Sequence, residues 1–316
     1  MWVVNMNLAE SVQALYAEYG ALKGVTIEIY KQLIAVSVKN DAASATVFLQ
    51  GAQVTEYKRV GEPSLLWLSE QCDYQRGKAL RGGIPVCWPW FGDIDKNPDS
   101  VKCQVSADNP PAHGFVREQA WRLANVELMD SETTQITLEF DVTPSELWPF
   151  SAALRLVVTV GSSLSLQFEV HNVGDQPFSF TSALHSYFNV AEVEAVEVLG
   201  LEGVEYIDTL EGWSRSCSSD PLRVAAEVDR IYRNVTGPIQ INDPGFARQI
   251  KVTNSHASDL VAWNPWVDKS IRLSHFADQD FHKMLCLESA HLLDNLQTLA
   301  PDQSYSMGFN CRISVT

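Results

Sequence analysis

In three runs between residues 135 and 170 the chain changes side at every step. Leu164, Leu166, Phe168 and Val170 fall on one face of an extended backbone, and Ser165, Gln167 and Glu169 on the other. Residues 135–142 and 153–160 also carry this pattern. Successive side chains of a strand point to opposite faces, so a two-residue period predicts strands. Turn signals at Gly161-Ser162-Ser163 and along 172–177 separate them. A hairpin is predicted for 46–50 and 53–58 about Gly51-Ala52, and further strands for 194–199, 249–253, 260–263, 284–288 and 304–314. Residues 7–19, through Leu8, Val12, Leu15 and Tyr19, predict one amphipathic helix. Many short strands with few helices make this an all-β sandwich. No repeat or linker divides the chain, so one domain over 1–316 is expected, with 1–30 as an N-terminal extension.

The stretch from Phe178 to Asn189, read as one strand, puts Phe178, Phe180 and Leu184 on an apolar face with Ser182 among them. Ser179, Thr181, Ala183, His185 and Tyr187 take the other face. Small residues followed by an imidazole and a phenol suit the floor and wall of a cleft. A half-exposed strand with an idle histidine has the same pattern.

Lys and Arg number 23 against 39 Asp and Glu, a net charge of −16. Phosphate backbones require a basic face, so a nucleic-acid partner is not expected. Any anionic substrate must be held by a local group of cations against the overall field. Cysteines 72, 87, 103, 217, 286 and 311 form no CxxC pair, which fits free thiols in a reducing compartment. No signal-peptide pattern occurs and no apolar run approaches the roughly 20 residues of a membrane span. A cytoplasmic monomer without a membrane partner is expected.

Three cations, Arg76, Lys78 and Arg81, precede Gly82-Gly83 and the aromatics Trp88, Trp90 and Phe91. The glycines would let backbone approach a ligand closely, although a packed loop reads the same way. His113 is followed by Gly114 and Arg117; its spacing to Glu118 lacks the second histidine of a metal motif, Phe115 standing there, so no metal is expected. Trp263-Asn264-Pro265-Trp266 reads as a tight turn carrying two indoles, either a sugar-stacking surface or a piece of core. Glu288 ends the apolar run 284–288. Buried, such a carboxyl would have a raised pKa suited to a general base; otherwise the strand emerges into solvent there.

Arg81-Gly-Gly-Ile-Pro85, His113-Gly-Phe-x-Arg117, Leu184-His-x-Tyr-Phe188, Val228-Asp-Arg-Ile-Tyr232, Trp263-Asn-Pro-Trp266 and Cys286-Leu-Glu288 occur in this order over most of the chain. With these motifs the sequence resembles the aldose 1-epimerase superfamily, and within it the hexose-6-phosphate mutarotases. The resemblance implies a β-supersandwich of large antiparallel sheets, with His185 as catalytic acid and Glu288 as catalytic base. It also implies Arg81, Arg117 and Asp229 as substrate-binding residues, and His113 as a sugar contact. Lys78, Arg76 and Trp263 are further candidates for phosphate or sugar contact. Two positions depart from the family: Ala112 stands where a substrate-contacting glutamine is common, and Pro301-Asp302 where Pro-Gly is usual.

The implied reaction interconverts the anomers of a hexose 6-phosphate by acid–base ring opening, and requires no cofactor. The net charge of −16 is expected to favour the imidazolium form of His185. The alternatives are a mutarotase for unphosphorylated aldoses and a non-catalytic carbohydrate-binding sandwich.

Overall fold

The computed structural model describes residues 7–315. Two antiparallel sheets of eight strands and one of four carry the architecture, and a two-stranded ladder joins Phe178–Phe180 to Gln297–Leu299. The expectation of an all-β fold built from large antiparallel sheets is met.

One eight-stranded sheet runs in the order Glu197–Leu199, Ile239–Asp243, Arg248–Ser255, Ser304–Val315, Ser163–Asn172, Ala152–Val160, Thr134–Val142 and Arg122–Leu128. Along Ala152–Val160, positions 152, 154, 156, 158 and 160 are buried while those between them are exposed or half-buried. One face meets the core and the other meets water, and alternation places Thr134–Val142, Ala152–Val160 and Ser163–Asn172 to within a few residues, while Arg122–Leu128 and Ile239–Asp243 lie outside the expected strands.

The second eight-stranded sheet contains Val228–Arg233, Asp259–Asn264, Met284–His291, Ser182–Leu184 and Val86–Cys87 side by side, with Tyr187–Asn189 also paired to Met284–His291. Every residue of Asp259–Asn264 and of Met284–His291 is buried. Leu260, Ala262, Leu285 and Leu287 join the main core with Leu156, Phe168 and Phe309. Val261, Trp263, Cys286 and Ala290 join a second cluster with Ala183, Tyr187 and Ile231 on the opposite face. Each fully buried side chain of this size contributes roughly 1.5–3 kcal/mol, so a sheet covered on both faces can tolerate a few costly polar groups. Glu288 lies inside the strand Met284–His291 and is 1% exposed, so the strand does not emerge into water there.

The four-stranded sheet (Val25–Tyr30, Leu33–Lys39, Ala43–Phe48, Gln53–Arg59) contains the expected hairpin, and its Val54 pairs with Ile84, just before Val86–Cys87 of the second eight-stranded sheet. The expected helix is Leu8–Tyr19; Asn7 and Glu10 cap each other's backbone, and Leu15 and Tyr19 are buried. Residues 1–6 of the N-terminal extension lie outside the described residues. All six cysteines are free, as expected. Among the described residues, no helix is long and apolar enough to cross a membrane.

Residues 178–189 differ from the expectation of one strand. They form three short ones, Phe178–Phe180, Ser182–Leu184 and Tyr187–Asn189, each with its own partners. The two faces still separate as the alternation requires: Phe178, Phe180 and Leu184 enter the main core, Ala183 and Tyr187 the other cluster.

Candidate active site

Strand register assembles the site. Asp229 pairs with Trp263, and Trp263 with Cys286; one step along, Val261 pairs with Glu288. Residues in register share a face, so Asp229, Trp263, Cys286 and Glu288 are presented together. From the neighbouring strands come Ala183, opposite Ala290, and Tyr187, opposite Cys286. Between them the chain leaves the ladder at His185 and Ser186, where the His185 N–H donates to the Pro85 carbonyl at 3.0 Å. This break puts the imidazole beside the carboxyl: Nε2 of His185 lies 3.4 Å from Oε1 of Glu288.

Aromatic rings fix His185. Its ring stacks on Tyr187 with centroids 4.6 Å apart and planes 12° apart, and Tyr187 stacks in turn on Trp67. His113 meets His185 edge-on at 5.4 Å, and Phe91 meets His113 at 4.8 Å. The Gly92 N–H donates to Nδ1 of His113 at 3.3 Å, which leaves Nε2 of a neutral His113 ring to carry the proton. Trp263 is a strand residue, not a turn residue; it is 8% exposed and edge-on to both His185 and Tyr187. Trp266 opens the short helix Trp266–Ser270 and packs on Phe281.

The glycines of this region bring backbone against backbone, not against a ligand as expected. A Cβ on Gly83, at φ +65, would sit 2.3 Å from the Val54 carbonyl oxygen. On Gly114, at φ +70, it would sit 1.9 Å from that of Trp88. Gly114→Ala is expected to cost at least the roughly 1–3 kcal/mol of a left-handed non-glycine residue, with the clash in addition. The readout is thermal denaturation; an unshifted melting temperature would contradict this close approach.

Arg117 donates from Nη2 to the Ala112 carbonyl at 2.8 Å, and its Nε is buried without a partner. Arg81 donates from Nε to the Ser274 carbonyl at 2.8 Å. Burial chiefly, then the charges of Arg117 and Arg81, pull the pKa of His185 down to about 3. Burial and the same arginines hold His113 well below the ordinary histidine range. Burial, with Asp229 adding to it, pushes Glu288 far above the usual carboxylate range. The expectation that the overall negative charge favours imidazolium is therefore overturned. Desolvation of the ring first, and then the two guanidinium groups, outweigh the surface carboxylates, which are distant and screened. At 3.4 Å the pair is within ion-pair range, but no hydrogen bond joins it, and His185 Nδ1 and Glu288 Oε2 are buried without partners. Burial favours one shared proton, resting on Glu288, over a separated ion pair.

Asp229 lies 3.7 Å from Lys269, and burial, the dominant influence, raises its pKa against that cation. Its neighbours in sequence point elsewhere: Arg230 pairs with Asp208, and Arg233 with Asp259 and Asp294. Lys269 carries no sequence signal linking it to Asp229, because helix Trp266–Ser270 brings it back over the Trp263 ring at 5.8 Å. Arg76 and Lys78 are exposed, and the cations that act on His185 and His113 are Arg117 and Arg81 instead. Hollows of about 570 and 600 Å³ are lined by neither His185 nor Glu288. Chemistry, not size, marks this site.

Residues 35–312 match the family described as aldose 1-epimerase. A protein of Escherichia coli K12 described as "Putative glucose-6-phosphate 1-epimerase" is 32% identical over 265 residues, covering 82% of this chain and 84% of its own. One of Cenchrus ciliaris with the same description is 33% identical over 272 residues, covering 83% and 78%. The crystal structure of a "putative mutarotase" from Salmonella typhimurium superposes with a TM-score of 0.83 at 28% identity, covering 92% of this chain and 94% of that one.

Proposed function

The chain belongs to the aldose 1-epimerase family, a family of isomerases, and on that premise we propose that it interconverts the α and β anomers of a hexose 6-phosphate, glucose 6-phosphate foremost. The observation that carries this reading is the buried pair of His185 and Glu288, 3.4 Å apart, in the field of two arginines. The relatives from Escherichia coli and Cenchrus ciliaris, with the phosphosugar in their descriptions, lend it support.

In the proposed mechanism Glu288 takes the proton of the C1 hydroxyl while His185 protonates the ring oxygen. The ring opens to the aldehyde, the C1–C2 bond rotates, and closure from the other face exchanges the two roles. The reactive form, carboxylate with imidazolium, holds the same single proton as the resting form, and differs only in which partner bears it. Arg81 and Arg117 grip the phosphate. Its negative charge offsets the cations that hold His185 unprotonated, so binding favours the proton's transfer to the imidazole. His113 donates from Nε2 to a sugar oxygen, and Asp229 accepts from a hydroxyl. The Trp263 indole lines the apolar side of the pyranose.

Exchange spectroscopy by NMR on glucose 6-phosphate and on glucose tests the reading. Faster exchange of the phosphorylated sugar supports it; exchange of glucose alone would replace it with a mutarotase for free aldoses. A sugar-dependent chemical shift without any acceleration would make the protein a binding sandwich.

The shared proton has its own consequence. Because His185 is held far below its ordinary value, its ring stays uncharged as pH falls from about 8 to 5, the span in which unperturbed histidines gain a proton. Its ring resonances, identified by their loss in His185→Asn, are expected to hold constant over that range in the free protein. A titration centred near the ordinary value would remove the proton-sharing pair.

A further inference from the structure

Cys286 precedes Glu288 by two positions on one strand face and is fully buried. Its sulfur, a ring nitrogen of His185 and a carboxylate oxygen of Glu288 all lie within 4.8 Å of one another. The anomer exchange described above uses no sulfur. The geometry points to a capture site for a borderline-soft divalent cation, Zn²⁺ in character, held by Cys286, His185 and Glu288, whose occupation shuts the sugar out.

Zinc binds such ligands tetrahedrally, with metal–nitrogen and metal–oxygen bonds of about 2.0–2.2 Å. Two donors around one tetrahedral ion then stand roughly 3.3–3.6 Å apart, and Nε2 of His185 is 3.4 Å from Oε1 of Glu288. The protein does not saturate these groups itself: Glu288 is 1% exposed, yet its Oε2 has no hydrogen-bond partner, and neither has Nδ1 of His185. Thiolate and carboxylate supply two negative charges for the dication against the repulsion of Arg81 and Arg117, and each releases its proton to solvent on binding. A thiolate–imidazole set suits zinc and its neighbours and suits Mg²⁺ poorly. Three protein ligands leave the fourth position to water, where the sugar would otherwise sit. The inhibitory half of the inference rests on the anomerase reading; the binding half does not.

Cobalt(II) reports the site optically, through a thiolate-to-metal charge-transfer band. Chelator-stripped protein titrated with Co²⁺ is expected to develop this band at one equivalent, and Zn²⁺, but not Mg²⁺, should bleach it. Cys286→Ser should lose the band while keeping the near-ultraviolet circular dichroism of the folded protein, whereas Cys103→Ser, which alters an exposed thiol, should retain it. Zinc should slow anomer exchange competitively with glucose 6-phosphate. Measured against each protein's own zinc-free rate, Cys286→Ser should need at least the roughly 10–100-fold more zinc that losing even an outer-shell partner demands. Absence of the band in the unaltered protein, or its persistence in Cys286→Ser, overturns the site. A band that behaves as expected without zinc inhibition of a working enzyme overturns the exclusion of sugar. The same band with no exchange in any preparation upholds the site and refutes the anomerase reading instead.

Discussion

Glu288→Gln is expected to lower catalysed anomer exchange by about 10²–10⁴-fold, the usual contribution of one positioned acid–base group, and to leave the melting temperature unchanged or higher. The two halves of this result belong together. The amide keeps the shape of the carboxyl at a position that is 1% exposed, so packing around the strand Met284–His291 is preserved. What it removes is an ionisable group whose burial opposes folding and whose nearest partner is His185. A group retained for structure would show the reverse, a loss of stability with exchange intact. Exchange must be measured above the spontaneous rate in the same buffer, which sets the floor for any variant. His185→Asn should fall toward that same floor, and because the pair works as a unit the double variant should lose little more than either single one. Near-normal exchange in Glu288→Gln would take the carboxyl out of the chemistry, and the proposed mechanism with it.

The legible part of this chain is the part that meets water on one side. Residues 152–160 and 163–172 alternate because one face of their sheet is solvated, and periodicity finds them. Asp259–Asn264 and Met284–His291 are covered on both faces, so no polar face marks their length. The end of the apolar run at Glu288 therefore read equally well as the end of the strand. The breaks at Thr181 and at His185-Ser186 leave the alternation of 178–189 intact and are invisible to it, although the second break is what puts the imidazole against the carboxyl. Gly82-Gly83 marks a close approach, but not to the expected ligand: the neighbour is the backbone of residues 54–55 and 67–68, which sequence spacing does not reveal. The expected protonation of His185 runs the wrong way because net charge is a property of the whole surface, while this ring responds first to its own burial and then to the arginines that folding sets near it. The pairing of Asp229 with Lys269 depends on a helix returning over the sheet, a long-range event that local spacing does not encode.

Arg117→Ala is expected to weaken use of glucose 6-phosphate on the order of 10–100-fold while sparing, or improving, exchange of free glucose. A hydrogen bond to a charged group is worth roughly 1.5–3 kcal/mol, and about 1.4 kcal/mol corresponds to a factor of ten. The buried Nε of Arg117 has no partner within the protein, whereas Nη2 is occupied by the Ala112 carbonyl. The side chain is thus held in place through Nη2, with a donor at Nε that no protein group uses. Its charge also depresses His185. Removing it lets the imidazole accept a proton more readily when no phosphate is there to offset the cation, and this is why the unphosphorylated sugar should not suffer. Arg117→Lys should recover only part of the loss, since an ammonium keeps the charge but not the planar fork of donors. The decisive quantity is the ratio of kcat/KM for the phosphorylated sugar to that for the free one. If that ratio is the same in Arg117→Ala as in the unaltered protein, with the melting temperature also the same, Arg117 does not hold the phosphate and the preference for a phosphosugar loses its physical basis at this residue.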